Sequence, residues 1–267
     1  MSSARTVARV QPLAVTIPPP LGRDTRARRA ARDALARVLW TKQGERRLPS
    51  ERALVAALSS CRADDVWWVC ETSSAGPVYL LPTREWVWAL ARFVAQQRVR
   101  SVLEVGAGDG FLSACLAHAC PRVRVIATDT GAWARPAGRM NDADRAELAG
   151  VPLAGISAGA HVLRMAAARA IERFRPDLVV VSWAPPGLLV ERAIRAPSRL
   201  VLDIGVDGDV CGNGMRTWRF EKDFLEGPLE TRALCRLDAR PRQQRHTRVT
   251  LYYGAAHRRW RAPRRGT

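Results

Sequence analysis

Residues 102–112 of the chain read VLEVGAGDGFL. An apolar run typical of a buried strand leads directly into a turn with glycine at 106, 108 and 110, and an apolar helical pattern begins at Phe111. Glycine lets the backbone adopt positive φ angles and approach a ligand closely. The stretch therefore predicts a strand, a turn and a helix, with a ligand beside the turn.

The spacing of these glycines narrows the class of ligand. A dinucleotide fingerprint is G-x-G-x-x-G, whose third glycine packs the helix against the strand. Here Phe111 stands at that position, and glycine comes one residue earlier. A phosphate-binding P-loop needs G-K-[ST], which the stretch lacks. The spacing therefore disfavours both NAD and ATP.

Strand-like and helical patterns alternate beyond this stretch. Apolar strand-like runs at 123–128, 178–183 and 200–204 alternate with helical patterns at 111–119, at 161–174 and from about 188. A weaker strand falls near 151–156, and 234–237 with 249–253 form an antiparallel pair. The alternation predicts an α/β fold, a doubly wound, mostly parallel seven-stranded sheet with helices on both faces. Ligands bind such sheets at the carboxyl ends of the strands.

The first hundred residues lie outside this alternation. We expect a flexible basic arm at 1–23, a mainly helical extension at 24–100, the α/β domain at 101–255 and a basic tail at 256–267. Within the extension, helices are predicted at 24–39, 51–58 and 84–97, and short β-like runs at 66–69 and 78–81 that form a hairpin or a lid. The arm faintly resembles an organellar targeting peptide, but three prolines at 18–20 would interrupt its helix.

An acid that ends a strand before G-x-G-x-G resembles the first motif of the class I S-adenosylmethionine-dependent methyltransferases. Glu104 and the glycines at 106, 108 and 110 match it residue by residue. Asp129 ends the next strand-like run, 19 residues after Gly110, where that family has an acid for the ribose hydroxyls. A carboxylate can accept hydrogen bonds from both hydroxyls of a diol. The resemblance spans about 101–253.

The resemblance implies that S-adenosyl-L-methionine is the cofactor and that Glu104 helps to hold its amino group. Ser157 is the stand-in for the polar residue that the family has after its third strand, although core packing explains a small residue there equally well. The cofactor-binding set implied in this way is Glu104, Gly106, Ala107, Gly108, Gly110, Asp129, Thr130, Ser157 and Ser182.

Residues 181–187 read VSWAPPG and are similar to the N-P-P-[YFW] loop of family members that methylate amino nitrogens. Ala184 replaces the asparagine and Gly187 the aromatic residue, so specificity for amines is not implied. Ser182 and Trp183 are candidates to supply a hydrogen bond and a stacking face, with Trp183 as core filler the alternative. The substrate-binding candidates are therefore Trp183, Pro185 and Pro186.

No catalytic residue is fixed by these motifs. Methyl transfer is an in-line displacement that depends mainly on positioning, and a general base is needed only for acceptors such as hydroxyls. His161 and Ser182 are the candidates for such a role. No metal is predicted, because Asp203, Asp207 and Asp209 are more typical of a solvated loop than of a metal site.

The composition limits which partners the chain can bind and in which cellular compartment it is expected. The net charge is +18, of which residues 1–50 carry +8 and residues 236–267 carry +9. These ends are rich in arginine, whose planar fork suits phosphate, so nucleic-acid contact through them is one hypothesis and solvated charge the other.

The apolar stretch 178–190 is broken by two prolines, which argues against a membrane span. Six scattered cysteines suggest reduced thiols in the cytoplasm. Organellar targeting stays open.

Two functions of different class remain. The first is a methyltransferase that acts on an unidentified acceptor, which is an RNA, a protein or a small molecule. The alternative is a catalytically inactive methyltransferase-like fold that serves as a binding or scaffold protein, with nucleic acid as one partner. The departures at Ala184 and Gly187 favour the alternative, whereas the glycine turn with Asp129 favours the enzyme.

Overall fold

A computed structural model of the chain describes residues 23–72, 77–132, 155–184, 187–206, 211, 214–243 and 245–258. Its centre is one sheet, with strands β1 (Ser101–Val105), β2 (Arg124–Asp129), β3 (Val162–Arg164), β4 (Leu178–Ser182), β5 (Leu200–Val206), β6 (Lys222–Phe224) and β7 (Thr247–Tyr253). The strand order is β3-β2-β1-β4-β5-β7-β6. The first five strands pair in parallel, and β7 runs antiparallel to both of its neighbours. The predicted doubly wound, mostly parallel seven-stranded sheet is confirmed.

Helices cover both faces of this sheet. They are α1 (Arg26–Leu39), α2 (Glu51–Ser59), α3 (Ala63–Glu71), α4 (Arg84–Gln96), α5 (Phe111–Ala119), α6 (Ala167–Phe174), α7 (Leu189–Arg195) and the single turns α8 (Gly214–Thr217) and α9 (Pro228–Thr231). In β4, Leu178 and Val180 pack with α4 and α5, whereas Val179 and Val181 pack with α6 and α7. Both faces are buried, which explains the unbroken apolar run of this strand.

The extension packs around a core of its own. Leu35, Leu54 and Val66 of its first three helices are fully buried together with Leu234 from near the C-terminus. Helix α4 instead joins the core of the sheet, where its apolar face is buried. The extension is thus attached to the sheet through α4 and through the segment around Leu234.

The hairpin predicted in the extension is wrong. Residues 66–69 lie in α3, because Val66, Val69 and Cys70 follow helical spacing and are all buried on one side. Leu80 forms only an isolated bridge with Cys235. The short run VWWV is apolar enough for either a strand or a helix, and burial against α1 decides for the helix.

Two strands near the sheet edges also differ from the prediction. Residues 155 and 156 have no regular structure, and β3 lies at Val162–Arg164, inside the predicted helix 161–174, which begins only at Ala167. Residues 151–154 lie outside the described residues. The partner of β7 at the far edge is β6, and not 234–237, where Asp238 accepts a hydrogen bond from the backbone of Cys235 in a turn.

Candidate functional site

The turn between β1 and α5 contains three left-handed glycines. Their φ angles are +68° at Gly106, +55° at Gly108 and +76° at Gly110, values that favour glycine over other residues. A Cβ at position 110 would lie 2.5 Å from Nε2 of His161 and 2.5 Å from Cγ2 of Val162. Gly110 therefore lets the segment before β3 pack directly against the turn.

Asp129 stands at the carboxyl end of β2, beside this turn. Its Oδ2 accepts a hydrogen bond of 3.0 Å from the backbone N–H of Gly108, and its Oδ1 accepts one of 2.7 Å from Gly131. One bond to each oxygen leaves further acceptor capacity on both. The turn thus orients the carboxylate, which can still accept hydrogen bonds from two hydroxyl groups.

Glu104 is the second-last residue of β1, at the base of the same turn, and is only 4% exposed. Burial raises the pKa of its carboxyl to about 7, and the nearby charges of Asp109 and Asp129 act in the same direction. The hydroxyl of Ser113 and its backbone N–H, at 3.0 Å, donate to Oε2 and favour the ionised form. A buried carboxylate among other acids is a receptive site for a cationic ligand group.

Arg46 reaches the turn from the extension, and no sequence motif pointed to it. Its Nη1 donates to Oδ2 of Asp109 at 2.9 Å, and its guanidinium carbon lies 4.2 Å from the centroid of the Phe111 ring. Asp109 also accepts from the backbone N–H of Phe111 at 3.0 Å. Because the side chain is 13% exposed, the guanidinium is held in one place beside the acids of the turn.

These groups line one cleft of about 580 Å³. Eight of the predicted cofactor and substrate residues lie along it, namely Glu104, Gly106, Ala107, Gly108, Asp129, Thr130, Ser182 and Trp183. Arg46, Tyr79 and Leu80 of the extension close one side, and Met165 with the start of α6 forms another. The cleft lies where the strand order reverses, between β1 and β4, as expected for a ligand site in such a sheet.

The strand order, its antiparallel β7 and the acid-bound glycine turn at the reversal identify the architecture. The chain has the class I methyltransferase fold.

Comparisons with known proteins were made at three levels. No family model matches the chain, and no curated protein matches it. Solved structures similar to it include the 23S rRNA methyltransferase ErmE, at 21% identity over 63% of this chain and 68% of that one with a TM-score of 0.33. The methyltransferase domain of bacterial-CtHen1-CN is 10% identical over 64% of this chain and 98% of that one, with a TM-score of 0.37. The S-adenosylmethionine-dependent methyltransferase SibL is 18% identical over 62% of this chain and 53% of that one, with a TM-score of 0.34.

Trp183 is the most unusual residue of this methyltransferase-fold cleft. It follows β4 with a φ of +53°, a conformation that is rare for a bulky side chain and costs about 1–3 kcal/mol. Its indole Nε1 is buried and has no hydrogen-bond partner among the described residues. The ring lies 5.4 Å from that of Tyr79, centroid to centroid. An aromatic wall with an unused donor therefore borders the cleft, whereas Pro185 and Pro186 lie outside the described residues.

Tyr79 is supported from behind by a buried ion pair. Burial raises the pKa of its hydroxyl, and the guanidinium carbon of Arg236 lies 4.8 Å from its ring centroid. Nη2 of Arg236 lies 2.6 Å from Oε2 of Glu71, and both side chains are buried. The pair ties α3 of the extension to the C-terminal segment and fixes the wall that Tyr79 gives to the cleft.

Three predicted site residues lie outside the cleft lining, namely Gly110, Ser157 and His161. Ser157 is exposed and precedes β3, because the third strand is further along the chain than expected. His161 places its Nε2 3.0 Å from the carbonyl oxygen of Gly110. Gly159, whose Cβ would lie 2.4 Å from the carbonyl oxygen of Asp109, packs against the same turn. The geometry gives His161 a part in supporting the glycine turn.

The remaining predictions concern metals and membranes. Burial raises the pKa of Asp203 to about 7, and Asp207 and Asp209 lie outside the described residues. Among the residues that the structure describes, no group of three or more His, Cys, Asp or Glu is placed to hold a metal ion. Within the same residues, no helix is long and apolar enough to cross a membrane.

Proposed function

We propose that the chain is an S-adenosylmethionine-dependent methyltransferase whose acceptor is an RNA, a protein or a small molecule. The observation that carries the proposal is Asp129, bound through Oδ2 to the backbone of Gly108 at the reversal of the strand order. Its two oxygens retain acceptor capacity for the cis-diol of a ribose.

The charged groups of the cleft fit the amino-acid end of this cofactor. An α-amino acid carries an ammonium and a carboxylate group, and Glu104 and Arg46 offer one charge of each complementary sign along the same cleft. Without a cationic partner, burial holds the pKa of Glu104 near 7; an ammonium group would favour its ionised form. Arg46 offers the carboxylate a guanidinium already held by Asp109.

S-adenosylmethionine supplies an electrophilic methyl group on a sulfonium. The chain's own contribution is then to position the acceptor, since in-line displacement depends on the alignment of the reacting atoms. Tyr79 and Trp183 form an apolar wall for the acceptor, and Ser182, which lines the same cleft, is available to orient it. No step in this scheme uses His161, which contacts the turn instead.

Calorimetry with S-adenosylmethionine and S-adenosylhomocysteine tests the cofactor assignment. The wild-type chain should bind both, and Asp129→Ala should bind at least about tenfold more weakly, since hydrogen bonds to a charged group contribute about 1.5–3 kcal/mol. Asp223→Ala, which removes a carboxylate from the sheet edge, is the control and should bind like wild type. A folded wild-type sample that binds neither ligand would contradict the proposal.

A transfer assay separates the enzyme from the inactive alternative. Labelled methyl from S-adenosylmethionine is followed into pools of RNA, of protein extract and of small molecules. Incorporation into one pool that is lost in Asp129→Ala supports the enzyme and names the acceptor class. Cofactor binding without incorporation into any pool would favour the scaffold alternative.

A further inference from the structure

A surface of cationic and aromatic side chains lies at the edge of the sheet, outside the cleft. Residues 216–224 read RTWRFEKDF and lead into the edge strand β6. Trp218 is 69% exposed and Phe224 is 56% exposed. Two large exposed aromatic rings side by side, bordered by charge, mark an interaction site rather than scattered surface. We call residues 216–224, with Arg195, the 216–224 surface.

The two rings are held in place by Lys222. Their centroids lie 6.3 Å apart, with an angle of 42° between the planes. Nζ of Lys222 lies 4.4 Å from the centroid of Trp218 and 5.9 Å from that of Phe224, and it donates to the backbone carbonyls of Trp218 and Phe220. The rings are thus fixed before any partner binds, which lowers the entropic cost of binding.

Three arginines lie on or beside the same segment, and two of them, Arg195 and Arg219, pack over the ring of Phe220. Arg195, Arg216 and Arg219 all form ion pairs with Glu191 of α7, at 3.0, 3.6 and 3.5 Å respectively. One carboxylate cannot neutralise three guanidinium groups, and each of the three side chains stays about half exposed. The sheet edge therefore presents positive charge beside its aromatic rings.

The acids nearby do not cancel this charge. Asp223 alternates with Lys222 and Phe224 along β6 and so points to the opposite face, where it accepts a hydrogen bond from the hydroxyl of Tyr253. Among the residues that the structure describes here, Glu221 and Glu191 remain against Lys222 and the three arginines. The described part of the 216–224 surface thus carries more basic than acidic side chains.

We propose that the 216–224 surface binds single-stranded nucleic acid. Unpaired bases would stack on Trp218 and Phe224, and phosphates would pair with Arg216 and Arg219, the combination of stacking and positive charge that binds single strands without strong sequence preference. A duplex keeps its base faces within its own stack and cannot use the two rings. The surface adjoins the cleft through α7, in which Glu191 holds the arginines and the next residue, Arg192, lines the cleft.

Binding is measured by fluorescence anisotropy of the full chain with a labelled oligouridylate of about 12 nucleotides, within the usual footprint of single-strand binding surfaces. Trp218→Ala should weaken binding about 5- to 100-fold, and Trp218→Phe should retain most of the affinity because it keeps a ring for stacking. The matched control is Trp88→Ala on α4, a tryptophan of similar exposure, at 64%, which should bind like wild type.

The charge contribution is measured from the salt dependence of the same binding. Arg216→Gln with Arg219→Gln should lower the slope of log K against log salt by about 1.4, since each phosphate contact contributes about 0.7 for a single strand. Arg92→Gln with Arg122→Gln removes the same charge elsewhere on the surface and should change the slope by less. A duplex RNA should show no dependence on Trp218.

Three results would overturn the proposal. The first is equal affinity of Trp218→Ala and Trp88→Ala for the oligouridylate, and the second is no binding of the oligouridylate by wild type. The third is a change of sedimentation mass in Trp218→Ala, which would assign the surface to contact between copies of the chain. Because S-adenosylhomocysteine binding is measured separately and should be unchanged in these variants, this proposal and the proposed function fail independently.

Discussion

At the scale of single residues, the chemistry of the cleft depends on two side chains of opposite charge. Glu104 is buried in β1, and its pKa is raised to about 7 mainly because burial disfavours the charged form. Arg46 comes from the extension and is held by Asp109. Under the proposed function, each side chain binds one charged group at the amino-acid end of S-adenosylmethionine, and each role leads to its own prediction.

The affinity for S-adenosylhomocysteine should rise with pH up to about 7 and then level off. Below its pKa of about 7, Glu104 is protonated and cannot pair with an ammonium group, so affinity should fall about tenfold per pH unit. Calorimetry between pH 5.5 and 8 measures the effect. Glu104→Gln should bind weakly with a flat profile, and a wild-type profile that is equally flat would show that Glu104 does not hold the ammonium group.

The role of Arg46 can be isolated by changing the ligand as well as the residue. 5′-Methylthioadenosine lacks the amino-acid end, so it cannot contact a carboxylate-binding residue. Arg46→Leu should weaken S-adenosylhomocysteine binding about 10- to 100-fold, the range for charge-assisted hydrogen bonds, and leave 5′-methylthioadenosine binding nearly unchanged. Equal loss for both ligands would mean that Arg46 acts only by holding Asp109 and the glycine turn.

At the scale of elements, the segment before β3 and the glycine turn form one packed unit. His161 reaches the carbonyl of Gly110, and Gly159 lies against the backbone of Asp109. This close approach depends on the missing side chain at position 110, where a Cβ would lie 2.5 Å from His161. The stability of this packed unit therefore depends on the absence of a side chain at position 110.

Gly110→Ala should destabilise the chain more than Gly131→Ala. Both positions have a similar positive φ, +76° and +69°, so both variants incur the left-handed penalty of about 1–2 kcal/mol. Only position 110 adds a clash, because a Cβ at 131 meets only Nε of Arg164, at 3.8 Å, and overpacking costs about 1–3 kcal/mol more. Urea unfolding measures the difference, and equal midpoints for the two variants would show that the turn relaxes freely.

The elements that could be predicted from the sequence are those that burial constrains on both faces. β1 and β4 are continuous apolar runs, and α5, the helix that follows β1, lies where it is predicted. The missed strands β3 and β6 have three residues each and expose Leu163 and Phe224. Their pairing is set by neighbours in space, which leaves little pattern in the sequence.

The same difference, between a pattern in the sequence and packing in space, explains which residues of the cleft could be predicted and which could not. Glu104 and Asp129 were predicted because each ends a strand at a fixed distance from the glycines. Arg46 and Tyr79 could not be predicted from the sequence, since only the packing of the extension brings them to the cleft. The 216–224 surface was also missed, because burial of Phe220 and exposure of Trp218 are visible only in the fold.

At the scale of the whole molecule, the net charge of +18 includes two separate groups of arginines that attract nucleic acid under the hypotheses above. One group lies at the two ends of the chain, and the other lies on the 216–224 surface. Residues 1–23 and 256–267 contain eight arginines and no acidic residue, and long-range attraction of this kind is independent of base stacking and is screened by salt. The 216–224 surface adds aromatic rings to a smaller charge. The two groups therefore differ in their response to salt and to substitution of Trp218.

Removal of residues 1–23 and 256–267 should weaken oligouridylate binding at low salt and reduce its salt slope, because fewer phosphates are neutralised. The remaining affinity should still fall about 5- to 100-fold in Trp218→Ala, since stacking does not require the ends. Anisotropy at several salt concentrations, on the full and the shortened chain with and without Trp218→Ala, measures both effects. An unchanged slope in the shortened chain would show that the ends carry only solvated charge, and the arginine-rich ends would then have no part in recognising nucleic acid.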